Sequence, residues 1–382
     1  MLSVCMIVKN AEKTIENSLR ALCGYGWEIV VVDTGSTDRT REIAAKYTEC
    51  LYECPWEDDF ALAKNFAVSK ASNDAVMVVD SDEFLEKIEK ADADLLEQHI
   101  LLHPDQVGRV RRRNVFPAKD GKRENQEWIN RVFSRRQFHY AGRIHEQLIS
   151  LDGAPYQTFK TPVVLYHTGY DLSPEEKLAK AQRNIRLLER ELLELQKRGQ
   201  TDDAMTEAKE EAEALIPYIL YQLGKSYYLS EDYGKACDYF SQGLSYELNP
   251  SLEYVIDMVE TYGYALINGG RAQEALFFEN IYEEFGRSAD FQFLMGLIYM
   301  NNMRFDDAVH EFQKASCQKE CRTIGVNDWL AYYNIGVIHE CLGQKEKAAE
   351  WYRKCKNYPQ AQARLREIRG GNEQGAGQEN RS

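Results

Sequence analysis

Three short apolar runs, two of them closed by acidic residues, set the tightest limit on what this chain can fold into. Leu2–Val8, Glu28–Val32 and Ala75–Val79 are rich in β-branched residues. They are too short for helices and read as buried strands. Between them the spacing becomes helical: Ile15, Leu19 and Leu22 fall within 10–23, which Gly24 closes, and 39–46 and 61–69 follow the same pattern. Strands alternating with helices predict a mostly parallel sheet covered on both faces. In such sheets ligands sit beyond the carboxyl ends of the strands. The second run ends in Asp33-Thr-Gly-Ser-Thr-Asp38 and the third in Asp80-Ser-Asp-Glu83, so the candidate site lies at those ends.

The second half has another character. Ser173-Pro-Glu-Glu176 is a capping box with proline at the first helical position, and a long amphipathic helix runs on to Gly199. Gly224, Gly263, Gly296 and Gly336 each precede an alanine by twelve residues, at Ala236, Ala275, Ala308 and Ala348. Phe240, Phe312 and Tyr352 lie four residues past three of these alanines, and Phe278 lies one residue early in the second unit. This pattern, over roughly 212–358, resembles tetratricopeptide repeats, whose small residues let paired helices approach while aromatics fill the gap. Stacked units form a solenoid with a concave surface suited to extended segments. The expected organisation is a catalytic domain over 1–170, a helical connection over 171–211 and repeats over 212–369. The Gly-, Gln- and Asn-rich segment 370–382 reads as a disordered tail.

The 382 residues carry a net charge of −14, which argues against non-specific nucleic-acid binding. From Arg109 to Arg143, however, eleven basic residues face three acids. That stretch is either a solvated basic face or a positive rim over a phosphate-rich ligand. No apolar run approaches the ~20 residues of a membrane span, and the N-terminus reads as a strand rather than a signal peptide. Nine scattered cysteines suit reduced thiols in a cytoplasm. Cys50 and Cys54, like Cys317 and Cys321, are spaced too widely for the usual zinc pairs.

Asp80-Ser-Asp82 places two carboxylates where one hard divalent cation, Mg²⁺ or Mn²⁺, could complete its shell with water and phosphate oxygens. Asp33 offers a carboxylate to a base or ribose, and Asp38 reads as a cap on the helix that follows.

These blocks resemble the motifs of family 2 glycosyltransferases with the GT-A fold: Ser3–Asn10, the Val-Val-Asp-Thr-Gly-Ser-Thr-Asp segment ending at Asp38, Phe60-Ala-Leu-Ala-Lys-Asn65 and Asp80–Glu83. Lys64 stands where that family often has arginine. Arg131-Val-Phe-Ser-Arg135, Gly142-Arg-Ile-His-Glu146 and His167-Thr-Gly-Tyr170 resemble a bacterial subgroup in which such a domain is fused to tetratricopeptide repeats. That subgroup includes peptide S- and O-glycosyltransferases of the glycocin type. The resemblance implies inverting transfer of a sugar from a nucleotide donor, commonly a UDP-sugar, to a peptide or protein acceptor.

On that reading Asp80 and Asp82 hold the metal, with His167 and His145 as candidates to complete its shell. Asp33 holds the nucleoside, Val8, Lys9 and Asn10 line the base, and Ser81 and Lys64 meet the donor or pair with the acids. Glu146, then Glu83, are the candidate bases for a hydroxyl acceptor; a thiol acceptor would need a base less. Two alternatives stay open: transfer to a cell-envelope saccharide or lipid precursor, and a non-catalytic repeat scaffold. The repeats also leave room for a homo-oligomer.

Overall fold

The computed structural model describes residues 1–86, 88–118, 121–167, 173–199 and 206–379. It divides into two units: Met1–Pro117 with Lys122–Glu176, and Ala118–Gly121 with Lys177–Ser382.

The first unit runs β1 (Ser3–Val8), α1 (Ile15–Leu22), β2 (Glu28–Asp33), α2 (Thr40–Ala44), β3 (Leu51–Glu53), α3 (Phe60–Lys70) and β4 (Ala75–Val78). It continues with β5 (Glu83–Leu85), α4 (Lys90–Leu102), β6 (Gln106–Ala118), β7 (Gly121–Ser134), β8 (Phe138–Ala141), β9 (Gln147–Ser150) and β10 (Gln157–His167). Eight strands form one sheet in the order β3-β2-β1-β4-β7-β6-β10-β5, and β8 pairs with β9 apart from it.

The three apolar runs are the parallel heart of this sheet: β1 lies between β2 and β4, parallel to both. Their side chains alternate between two cores. Val4, Met6, Val31 and Met77 pack on one face with Ile15 and Leu19 of α1 and Leu96 of α4. Cys5, Val30, Val32, Val76 and Val78 pack on the other with Ala67 and Val68 of α3. Burial on both faces explains why these strands read as unbroken apolar runs. Most of the sheet's pairings are parallel, with antiparallel additions: β7 is antiparallel to β4 and β5 is antiparallel to β10. The long strands β6 and β7 carry arginines and glutamates instead of an apolar run, so no buried-strand signal marked them.

The second unit is helical: α5 (Pro174–Gly199), α6 (Thr206–Leu229), α7 (Tyr233–Gly243), α8 (Glu253–Asn268), a 3₁₀ helix (Glu274–Ile281), α9 (Tyr282–Phe285), α10 (Ala289–Asn301), α11 (Phe305–Ser316), α12 (Trp329–Cys341), α13 (Lys345–Lys354) and α14 (Pro359–Glu379). The glycine–aromatic pattern is its packing rule. A Cβ on Gly224 would fall 2.5 Å from the ring of Phe240, one on Gly296 2.6 Å from Phe312, and one on Gly336 2.5 Å from Tyr352. Each glycine therefore seats the aromatic of its own pair. Gly263 differs: its Cβ would meet Leu294 of the next pair at 2.6 Å. The partner helix in that second unit is the 3₁₀ segment, which explains the displaced Phe278. Backbone of α14 continues helically to Glu379, where composition suggested a disordered tail from Gly370. The packed turn at Ala361, Leu365 and Ile368 supplies a nucleus from which helix extension is cheap; residues 380–382 lie outside those described.

Candidate active site

The loop after β2 is built around Asp33. Its Oδ1 accepts from the backbone amides of Gly35 and Ser36, both at 2.9 Å, and Gly35 sits at φ +103°, a turn geometry that favours glycine. Asp33 is 3% exposed, and its Oδ2 is buried with no hydrogen-bond partner. Asp38, expected to cap the next helix, lies one residue ahead of its N-cap Arg39; it accepts from Thr40 N at 3.0 Å and from Glu12 N at 3.1 Å. Two residues expected to line the base also hold this loop. The Val8 carbonyl accepts from Thr34 N at 2.9 Å and from its hydroxyl at 3.1 Å, and the Val8 side chain is buried. Asn10, at φ 51°, accepts from Thr37 N at 2.8 Å. Lys9 is exposed, its ammonium 6.0 Å from the Trp56 ring centroid.

Beyond β4 the acids divide. Asp80 Oδ1 meets Lys64 Nζ at 3.2 Å and its Oδ2 meets Arg131 Nη2 at 2.6 Å. Lys64 also meets Glu146 at 2.6 Å, and Arg131 meets Glu83 at 3.0 Å. Burial alone would raise the Asp80 carboxyl, but the flanking Arg131 and Lys64 hold it well below the usual carboxylate range. Despite its own burial, Lys64 is held above its ordinary value by Asp80 and Glu146. Asp59 caps α3 by accepting from Leu62 N at 2.8 Å, which fixes the helix that carries Lys64.

Glu83 is fully buried: it accepts from the Asp80 amide at 3.0 Å and pairs with Arg112 at 3.3 Å as well as with Arg131. That burial removes it as a base able to reach an acceptor. Glu146 keeps 13% of its side chain exposed and stays a candidate.

Asp82 turns elsewhere. Its Oδ2 lies 3.3 Å from His167 Nε2. His167 Nδ1 lies 2.7 Å from Asn114 Oδ1, while Asn114 Nδ2 donates to Glu127 at 2.7 Å and Asn125 at 2.8 Å. This network assigns the Asn114 oxygen as acceptor and puts the ring proton on Nδ1. In the neutral ring, the Nε2 lone pair then faces a carboxylate oxygen. A ring nitrogen fixed from behind by a second side chain is also how metal-binding histidines are held.

Of the expected metal donors, the structure brings Asp82 and His167 together. It does not assemble the four-residue set expected from the sequence. Among the described residues no group of three or more His, Cys, Asp or Glu side chains could hold a metal. Asp80 is withdrawn from that set because both its oxygens are held by cations, and His145 joins no such group. Ser81 is half-buried in the turn between the two acids. Of the His167–Tyr170 motif, only His167 lies within the described residues.

Several residues of the basic stretch are paired with acids. Arg112 pairs with Glu83 and Glu127, Arg113 with Glu124, Arg131 with Asp80 and Glu83, and Arg136 with Asp74. These residues are held in ion pairs, buried only at Arg131 and Glu83, while Arg136 stays exposed. Sequence reasoning gave Arg131 and Arg112 no role beyond the basic stretch and its motif, and Asn114 none. Strand alternation was the available signal: it puts Arg112 and Asn114 on one face of β6, too polar a pair for a core without partners.

Residues 3–145 match the model of glycosyl transferase family 2, and residues 330–361 match a tetratricopeptide repeat. The SPbeta prophage-derived glycosyltransferase SunS of Bacillus subtilis is 23% identical over 314 residues, covering 78% of this chain and 67% of that protein. A TPR repeat-containing protein of Synechococcus elongatus is 39% identical over 83 residues, 22% of this chain and 21% of its own length, so the chain spans about a fifth of that relative. Among solved structures, S. aureus TarS aligns with a TM-score of 0.32 and 15% identity over 72% of this chain and 53% of that one. Among the described residues no helix is long and apolar enough to cross a membrane. With its strand-tip acids and its family match, this chain carries a family 2 glycosyltransferase domain followed by C-terminal tetratricopeptide repeats.

Proposed function

We propose that this chain transfers a sugar, with inversion, from a nucleoside diphosphate donor that is UDP-linked to the side chain of a peptide or protein in the cytoplasm. The observation that carries the reading is the bare Oδ2 of Asp33. A buried carboxylate oxygen without a donor costs free energy, about 1–3 kcal/mol or more for a charged group. At a strand end it is satisfied by a base N–H or ribose hydroxyl of a bound nucleotide. Asp80 keeps a third of its side chain exposed, so a donor hydroxyl can reach it while Lys64 and Arg131 hold it in place.

Asp82 and His167 would hold Mn²⁺ or Mg²⁺, which supplies positive charge against the charge developing on the leaving diphosphate. Glu146 is the base we assign for a hydroxyl acceptor, oriented by its ion pair with Lys64. Peptide as acceptor is supported by the stacked repeats, whose surfaces suit extended chains.

Calorimetry of UDP binding, with and without Mn²⁺, tests the core of this reading. Wild type should bind with an affinity that Mn²⁺ strengthens, Asp33→Ala should lose binding at least tenfold, and Asp82→Ala should lose the Mn²⁺ dependence. A wild-type protein indifferent to every nucleoside diphosphate, or an unaffected Asp33→Ala, would overturn it.

A further inference from the structure

Apart from the strand-tip site, the helical unit holds a polar cluster that no part of sugar transfer uses. Glu260 of α8 is 4% exposed; its Oε2 takes Nη2 of Arg322, and its Oε1 is buried with no partner. One turn earlier, Asp257 accepts on Oδ2 from Tyr221 at 2.6 Å and Lys225 at 2.8 Å, both of α6, and on Oδ1 from Arg322 Nη1 at 3.2 Å. Arg322 itself belongs to the connection between α11 and α12. The backbone amides of Arg322 and Thr323 donate to Asp290 of α10 at 2.7 and 2.8 Å, which anchors that connection across the first helices of earlier pairs.

Arg322 fits this recess incompletely. It meets two carboxylates with one nitrogen each rather than gripping either bidentately, and its Nε is buried without a partner. Without Arg322, Asp257, Glu260 and the neighbouring Asp290 outnumber Lys225 by two negative charges. Within the recess, burial pushes the Glu260 carboxyl up to about 8 even against the pull of the Arg322 guanidinium, so a further donor to its bare oxygen would favour the ionised form. It is also reachable, because 37% of the Arg322 side chain is exposed.

We propose that the recess between Asp257 and Glu260 is a binding site for an arginine side chain of a peptide partner, and that Arg322 occupies it in the free chain. This rests on the reading that the repeats hold a peptide. An incoming guanidinium that pairs with both oxygens of Glu260 would satisfy the bare Oε1 and free the 317–328 connection. The site thereby selects partners with a basic residue in the bound segment.

The test reads binding rather than sugar transfer, so it can fail while the donor chemistry stands. In full-length Arg322→Ala, methylguanidinium should raise the melting temperature saturably, whereas equal NaCl should not and wild type should not respond. A fluorescein-labelled Gly/Ser heptapeptide with one central arginine should bind Arg322→Ala at least tenfold tighter than wild type. Its citrulline counterpart should bind neither, and Glu260→Gln in the Arg322→Ala background should remove the gain. Should Arg322→Ala unfold, Arg322→Lys serves in its place; it keeps a charge without the fork and should show an intermediate gain. Equal peptide affinity in wild type and the Arg322 variant, or rescue by NaCl as good as by methylguanidinium, overturns the proposal.

Discussion

Replacing Arg131 by methionine should damage the first unit more than its distance from the apolar cores suggests. The side chain is 7% exposed and lies 2.6 Å from Asp80 and 3.0 Å from Glu83. At an effective dielectric of about 20, each contact is worth roughly 5 kcal/mol before desolvation. Relief from burying the guanidinium returns much of that. What remains is the cost of stranding Glu83, fully buried, on the more distant Arg112 at 3.3 Å. Breaking a buried pair from one side costs about 3–5 kcal/mol. Hydrogen exchange on peptides spanning β1 and β4 reads this directly, and their slowest amides should exchange roughly 10²–10⁴-fold faster. Adding Glu83→Gln should recover part of the loss, since it removes the charge left unpaired. A single variant costing less than about 1 kcal/mol, or a double variant worse than the sum of its parts, would refute the claim that this ion network holds the strand tips.

Asp80, held below the usual carboxylate range by Arg131 and Lys64, contributes stability above its unfolded value of about 3.9 and loses it as pH falls through its folded value. The stability gap between wild type and Asp80→Asn, followed by urea titration, should therefore narrow below about pH 4. Gly296→Ala should destabilise the helical unit by about 1–3 kcal/mol, because the new Cβ would lie 2.6 Å from Phe312; thermal melts check this. Asn114→Leu should weaken Mn²⁺ binding about 10–100-fold in calorimetry by freeing the His167 ring, with metal-free UDP binding unchanged.

The parallel strands were legible because burial on both faces forces an unbroken apolar run, and the repeat pairs because a Cβ on the glycine would collide with an aromatic. The acids at the strand ends followed from topology alone. Their partners did not. Arg131 lies 51 residues from Asp80 in sequence, and Asn114 lies 53 from His167. Such long-range polar pairs leave no periodic trace. The β6 and β7 strands were missed for a related reason: the arginines that composition presented as an exposed rim are satisfied by glutamates on neighbouring strands.

That same network explains why the two acids at the end of β4 do different things. The Asp80 carbonyl accepts from the Glu83 amide at 3.0 Å, and the Asp80 amide donates to Glu83 Oε2 at 3.0 Å, so residues 80–83 form a tight reciprocal turn. A strand continued through Asp82 would have put both carboxylates on one face. The turn instead leaves Asp80 against Lys64 and Arg131, and carries Asp82 to His167 at the end of β10. Two nearby carboxylates would otherwise repel each other and raise one pKa. Two buried cations on the first remove that conflict and keep it ionised. The second is left facing the His167 imidazole at 3.3 Å.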